Sequence, residues 1–489
     1  MITSVKHQSS FDSTAQLTVL LVQGDDLKGK KGTTLEQDSG FAWLKLAKAQ
    51  DFEGQSGQEF HCQGERHLLI LGLGESKELD SEACMALGAK VTKCAQKIKA
   101  SSIQINALSN LSSGVSVQSF LTGAHLGFYK FDKYKKKDDQ TKAVKVRLSL
   151  IIDNPKGLPA LSQRAKVLAK AISRARDWVN EPGNKLPPKA LALEAKKLAK
   201  EHGLQAKIIE GKDLIKENMN LFLSVAHGST KNPPAFIHLS YKPKAKSSRK
   251  VFLVGKGVMF DTGGISLKPS GSMMTMKMDM GGASAVLATI AALAELKAKV
   301  EVHAIVAATE NMPDGDATRP GDIVTGRNGT TVEILNTDAE GRLTLADALT
   351  YSVDKGATEI IDLATLTGAC ITALGEQTAA LYSDHEELRQ GLLDASDRGG
   401  EQLWHMPLNP SLKKKIKSPV ADLKNIGGGG GGSITAALFL QEFTENVPWA
   451  HLDIAGPAFG DEERGHISKG GRGFGVGTLV EYLCPTPKD

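Results

Sequence analysis

Val251-Phe-Leu-Val-Gly-Lys256 is an apolar run that reads as a buried strand, and it leads into Gly257-Val-Met-Phe-Asp261-Thr-Gly-Gly264. Five further stretches share its character: 207–210, 236–241, 302–309, 359–364 and 450–454. The segments between them are long enough for helical crossovers, which predicts a mostly parallel sheet flanked by helices. A helix beginning near Gly281, with Val286, Ile290, Leu293 and Leu296 on one face, covers that sheet. Polar anchors follow the strands or open the helices, and open α/β sheets build their sites outside the carboxyl ends of the strands.

Working outward, Leu17-Thr-Val-Leu-Leu-Val22 and His67-Leu-Leu-Ile-Leu-Gly72 read as strands and Leu87 to Ile98 as a helix, so the chain begins with a smaller α/β unit. Its Gly72-Leu-Gly74 lacks the third glycine of a dinucleotide fingerprint and reads as a tight strand-to-helix turn. From Tyr129 to Thr141 the composition turns lysine-rich and marks a surface excursion. Leu148 to Ile152 reads as the last strand of this unit, and the helical pattern from Leu161 to Val179 as the connection. The expected division is an N-terminal α/β domain at 1–155, a linking helix at 156–180 and a catalytic α/β domain at 181–489. Glu181 to Pro188 is loop punctuation, with an amphipathic helix after it from Leu191 to His202. The glycines Gly427 to Gly432 form either a flexible linker or a close approach of backbone, and the helical pattern that follows at once favours the second.

At 489 residues the chain is long for one core, which supports two domains. Its 41% hydrophobic and 24% charged content is ordinary for a soluble globular protein, and no apolar run reads as a bilayer span. The residues after Met1 lack the basic and apolar regions of a signal peptide, and the five cysteines are scattered without a Cys-x-x-Cys spacing. The expectation is a cytoplasmic protein without disulfides. A net charge of +5 permits weak attraction to nucleic acid without requiring it.

The chemistry centres on Asn336-Thr-Asp338-Ala-Glu340-Gly341-Arg342-Leu343. With Asp261 and Asp279 it supplies four carboxylates, and Lys256 and Lys268 lie among them. Four such carboxylates gathered at one point repel one another unless cations compensate them, which two divalent ions would do. Oxygen-rich donors suit magnesium or manganese, and zinc accepts them as well. There is no His-Glu-x-x-His, Gly-x-Ser-x-Gly or Walker A pattern, and His303 and His451 sit in apolar strand patterns where a core role is expected.

These residues resemble the leucyl aminopeptidases (cytosol aminopeptidases), dinuclear metallo-exopeptidases. The octapeptide looks like that family's signature, and Gly255-Lys-Gly257, Phe260 to Pro269, Met276 to Ala283, Ala364 to Ala369 and Trp449 to Gly456 match it in order. The resemblance is close from about Arg174 onward and loose before it. It implies that Asp261 and Glu340 bridge two metals, that Lys256 and Asp279 complete the tighter site, and that Asp338 completes the more exchangeable one. It also implies an attacking water or hydroxide between the metals, Lys268 steadying the oxyanion, and a bicarbonate held by Arg342 as general base. The implied substrates are peptides with a leucine-like first residue, bound near Met276, Asn336, Thr365, Leu366, Gly368 and Ala455; Met276 also suits plain core packing. The implied assembly is a homohexamer, a dimer of trimers.

Two departures from the family pattern bear on pocket shape. Lys469-Gly-Gly-Arg472-Gly carries a cation where a small hydroxyl is expected, and Gly429 and Gly430 replace a position that commonly holds arginine. The rival reading from another class is a DNA-binding accessory protein. Its support is the lysine runs at 133–137, 242–250 and 413–417, each of which also reads as solvated surface.

Overall fold

The computed structural model describes residues 1–487 except 75–78, 107–110, 112, 143 and 154. Two sheets organise the chain. The N-terminal sheet contains β1 (Ile2–His7), β2 (Leu17–Val22), β3 (Glu59–Cys62), β4 (His67–Gly72), β5 (Ser102–Asn106) and β6 (Val146–Ile151), in the order β1-β6-β5-β2-β4-β3. All its pairings are parallel except β3 with β4. β2 is apolar at every position but one and buried at all of them, as a central strand covered on both faces must be.

The C-terminal domain contains β7 (Gln205–Glu210), β8 (Ala235–Tyr241), β9 (Lys250–Asp261), β10 (Glu301–Asn311), β11 (Asp322–Thr325), β12 (Thr331–Ile334), β13 (Glu359–Ala364), β14 (Thr378–Tyr382), β15 (Gln402–His405), β16 (Leu423–Lys424) and β17 (Trp449–Asp453). Its main sheet runs β15-β14-β17-β13-β9-β10-β8-β7, and β11, β12 and β16 form a small separate one. The four central strands β17, β13, β9 and β10 are mutually parallel, so their carboxyl ends open on one side. The expected parallel order stops at the flanks: β8 is antiparallel to β10 and to β7, and β14 is antiparallel to β17.

β9 is longer than the sequence pattern implies, because β10 continues beside it and carries the pairing to Asp261 opposite Asn311. A side chain at Gly257 would come within 2.6 Å of Val306, so the glycine marks tight strand packing rather than the end of the strand. The Gly281–Glu295 helix crosses this sheet, and Gly281 to Leu293 is buried on all sides rather than along one face. The segment Met276–Glu295 has the length and apolar content of a membrane span, but 83% of its most apolar window is buried within the domain. Gly255 and Gly282 make that packing possible, since a Cβ at Gly255 would lie 2.5 Å from the Gly282 carbonyl oxygen.

The connecting helix runs Leu158–Asn180 and bears on both domains. Its buried Arg164 pairs with Glu481 of the C-terminal helix at 2.8 Å, and Gln118 of the N-terminal domain donates to the same carboxylate at 3.2 Å. The helix expected from Leu87 starts earlier, at Ser81, because Asp80 caps it by accepting from the Ala83 amide.

Candidate functional site

Lys256 lies midway along β9 and Asp261 at its end, and both are buried. The chain then turns through Lys268 and a short helical turn, Met276–Met278, to Asp279 at the threshold of the Gly281–Glu295 helix. From the other side, β12 leads through Asn336 and Asp338 to Glu340, directly before the Gly341–Asp354 helix. Thr365 and Leu366 follow β13, Gly368 opens the next helix, and Ala455 follows β17. The main cluster thus stands outside the carboxyl ends of the parallel strands, where the sheet topology leads loops from several elements together.

Lys256 Nζ stands 2.6 Å from Asp279 Oδ2 and 2.8 Å from Glu340 Oε1, and donates to the Thr365 carbonyl at 3.0 Å. Lys268 Nζ stands 2.9 Å from Asp261 Oδ2 and 2.5 Å from Asp338 Oδ1. One carboxylate oxygen from each of Asp261, Asp338 and Glu340 lies within 4.8 Å of the others. Asp279 Oδ2, Asp338 Oδ1 and Glu340 Oε1 are sealed from solvent, and although each is at ion-pair distance from an ammonium, none accepts a hydrogen bond in suitable geometry. Buried charges of this kind are costly unless something completes them, and hard oxygen donors so placed fit divalent cations.

Burial pushes the Asp279, Asp338 and Glu340 carboxyls above their ordinary range, and the neighbouring Asp261 charge adds to it. For Lys256, burial favours the neutral amine, but Asp279, Glu340 and Asp261 together outweigh it and hold the pKa above normal. Lys268 is held high in the same way, with burial opposed mainly by Asp261 and Asp338. Burial lowers Arg342 to about 10, offset in part by Glu340. Its Nη1 donates to the Asn425 carbonyl at 2.7 Å, while its buried Nε has no hydrogen-bond partner among the described residues.

Three polar residues absent from the sequence expectation hold these groups in place. Asn311 donates to Asp261 Oδ1 at 2.8 Å and to the Thr337 carbonyl at 3.0 Å, tying the end of β9 to the octapeptide. Asn425 accepts from the Leu335 amide at 2.9 Å and donates to the Asn336 carbonyl at 2.7 Å. Asp453 accepts from the amides of Leu366 and Ala455, each at 3.2 Å, and from the Thr367 hydroxyl at 2.7 Å. Only Asp453 lay inside a stretch with its own sequence signal, Trp449 to Gly456. Asn311 and Asn425 are neutral and isolated in sequence, so nothing local marks them.

Met276 is half-buried at the rim, Thr365 and Ala455 are buried, and Gly368 is exposed. Thr365 Oγ1 donates to Asp279 Oδ1 at 2.7 Å, which links the segment after β13 to the carboxylates. His451 is fully buried with its Nδ1 2.6 Å from Asp362, and His303 stacks on Phe252 and meets His238, so both are core residues. One lysine of each run meets an acid, Lys133 with Glu181, Lys242 with Glu301 and Lys413 with Glu442. In the glycine run, Gly428, Gly430 and Gly431 have positive φ, and Gly428 and Gly429 have open space around them. Backbone conformation therefore explains the middle of the run, and close approach acts at Gly427 against Thr435, at Gly431 against Leu412 and at Gly432 against Ala369. Cavities of about 490 Å³ between the domains and about 410 Å³ beside Trp43 lie away from the carboxylates.

Residues 173–480 match the catalytic-domain model of the cytosol aminopeptidase family, and residues 18–138 match its N-terminal-domain model. A probable cytosol aminopeptidase of Aquifex aeolicus is 43% identical over 447 residues, covering 90% of each chain. One from a Picosynechococcus species is 45% identical over 420 residues, covering 86% of this chain and 85% of its own. Among solved structures, a mutant of tomato leucine aminopeptidase superposes with a TM-score of 0.90 at 34% identity, covering 99% of this chain and 96% of its own. The bottromycin maturation enzyme BotP in complex with Mn superposes with a TM-score of 0.85 at 33% identity, covering 96% of this chain and 99% of its own. The chain belongs to the cytosol aminopeptidase family and is a metal-dependent aminopeptidase of that kind.

Proposed function

We propose that this protein releases leucine-like residues from the amino ends of peptides at a dinuclear metal site built on Asp261 and Glu340. The observation that carries the assignment is the convergence of four carboxylates on two lysines, with three carboxylate oxygens sealed yet without hydrogen bonds. Glu340 pairs with Lys256 and Asp261 with Lys268, one carboxylate from each half, and we assign both to the two metals. Lys256 and Asp279 belong to one half and Asp338 to the other. Asp338, with its side chain 33% exposed, is the accessible ligand and suits the exchangeable position. Lys256 reaches its carboxylates as an ammonium, so it must give up a proton to serve as a ligand.

Zinc or manganese, with magnesium as a third candidate, would polarise the scissile carbonyl and make water acidic enough to attack it at neutral pH. Lys268, partly exposed and flanked by Asp261 and Asp338, is placed to donate to an oxyanion developing at the mouth of the cluster. Arg342 keeps its Nε–H free of protein partners, which suits it to grip a bicarbonate as the proton acceptor. Met276, Asn336, Thr365, Leu366, Gly368 and Ala455 form the rim and wall for the first side chain. A free α-amine on the substrate would complete the site, which restricts cleavage to the first residue.

We further propose the division at 1–155, 156–180 and 181–489, a cytoplasmic location and a homohexamer. Exposed Ile265, Leu267, Met274 and Val420 are apolar surface that such an assembly would cover. Light scattering of the purified protein tests the assembly. The decisive experiment for the site strips the protein of metal, reloads it with manganese or zinc, counts metal per chain, and follows hydrolysis of a leucine chromogenic amide beside Asp338→Ala. Metal-dependent release that the substitution abolishes, with one metal fewer bound, is the expected result. Full metal loading without release from that amide or from a dipeptide panel would refute the assignment.

A further inference from the structure

Arg472 stands where the family pattern places a small hydroxyl, and its contacts give the longer side chain a purpose. It follows a two-residue ribbon in which Phe459 and Gly460 pair antiparallel with Gly471 and Gly470. Its amide donates to the Ala458 carbonyl at 3.0 Å, and its Nη1 donates to the Glu376 carbonyl at 2.7 Å. Its own carbonyl accepts from Nε of Arg176 at 3.0 Å, and Arg176 is a buried residue of the connecting helix. The guanidinium lies against Gly460, where an added Cβ would come within 1.9 Å of Nη2.

These contacts join two segments that lead away from the proposed pocket residues. One runs from Thr365, Leu366 and Gly368 through the Gly368–Leu374 helix to Glu376; the other runs from Ala455 to Gly460. They touch directly, because a Cβ at Gly456 would lie 2.4 Å from the Gly375 carbonyl oxygen. On the inner side Asp453 fastens Leu366, Thr367 and Ala455 together. On the outer side Arg472 fastens Glu376 to Ala458. A threonine has too few atoms to span that gap, whereas a guanidinium also offers a rigid planar donor.

We propose that Arg472 is a positioning residue that sets the width of the pocket for the substrate's first side chain, acting through the Glu376 turn and without touching substrate. The inference rests on the proposed assignment of Thr365, Leu366, Gly368 and Ala455 to that pocket. Loss of the outer clamp lets the two segments part while Asp453 and the carboxylate cluster stay in place, so selectivity changes ahead of the chemical step.

The test measures kcat and KM of the metal-loaded enzyme on alanine, leucine and phenylalanine chromogenic amides. Arg472→Ala should raise KM for leucine about fivefold while KM for alanine and all kcat values stay within about twofold, in keeping with the modest energies of apolar pockets. Arg472→Lys, which can still reach Glu376, should recover part of the loss. Gly460→Ala displaces the guanidinium without removing it and should reproduce the change, which keeps the test open if Arg472→Ala folds poorly. Ala455→Val probes the pocket itself. An unmoved leucine-to-alanine ratio in Ala455→Val would overturn the pocket assignment and this inference with it. A ratio moved there but unchanged in Arg472→Ala and Gly460→Ala, or an equal fall of kcat on every substrate, would overturn the role of Arg472 alone.

Discussion

Gly341 tests the architecture of the site more sharply than any ligand does. It is the first residue of the Gly341–Asp354 helix, where alanine is ordinarily the better residue by up to about 1 kcal/mol. Its φ is not positive, so Gly341→Ala carries no backbone penalty. The added Cβ would however lie 2.5 Å from Lys256 Cε and 2.8 Å from Nζ, when ordinary contact begins at 3.4 Å. Lys256 must therefore withdraw by about 0.9 Å, the difference between those limits. Its side chain is 4% exposed and enclosed by Asp279, Glu340 and the Thr365 carbonyl, so it has no free direction in which to move. A misplacement near 1 Å in a reacting site costs about 100-fold in rate, or roughly 2.7 kcal/mol at the barrier. The assay follows kcat/KM on a leucine chromogenic amide, metal per chain and the thermal midpoint, with Gly315→Ala, whose Cβ meets open space, as control. Gly341→Ala should lose about 100-fold in kcat/KM and hold one metal more weakly while still melting cooperatively near the parent temperature. Near-parental activity with two tightly held metals would refute the claim that Gly341 fixes Lys256.

Asp338→Asn should weaken the more accessible metal and lower kcat/KM, with metal counted by mass spectrometry after dialysis, because Asp338 pairs with Lys268 and is proposed to serve one metal alone; loss of both metals alike would contradict the proposed division. Asn311→Ala removes a donor to Asp261 and should cost about 10- to 100-fold in metal affinity, measured by competition with a chelator, with little change in fold. His303 is held neutral with its pKa lowered from 6.5 to about 4, chiefly by burial and partly opposed by Glu301. An unfolded chain takes up this proton as pH falls through 6.5 and the folded chain does not, so stability declines between about 6.5 and 4, by at most about 3 kcal/mol from this group. Denaturant midpoints across that window should fall with pH, and His303→Gln should flatten the slope; an unchanged slope would assign the acid sensitivity elsewhere.

What could be read in advance followed the period and chemistry of each segment. β9, β10 and β13 are mainly apolar and β-branched with few polar interruptions, and such runs identify central strands without knowledge of their partners. The direction of β8 was not legible, since Ala235 to Tyr241 is as apolar as the parallel central strands, yet β8 runs antiparallel to both of its neighbours. Edge strands such as β3 and β15 were missed for a related reason: Glu59 and Gln402 face water, so four residues carry too little apolar signal. At the site, charge made the four carboxylates and two lysines visible because burying them without compensation costs more than a fold can tolerate. Asn311 and Asn425 escape that logic. Their amides are neutral: Asn311 donates to a carboxylate and to a backbone carbonyl, and Asn425 donates to one backbone group and accepts from another, all with partners far away in sequence. The legible part of a metal site is therefore its charge balance, and the part that only the fold reveals is what holds that charge still. Arg472 shows the same division, for its charge could be read as a departure, but its bond to Glu376, 96 residues away, could not.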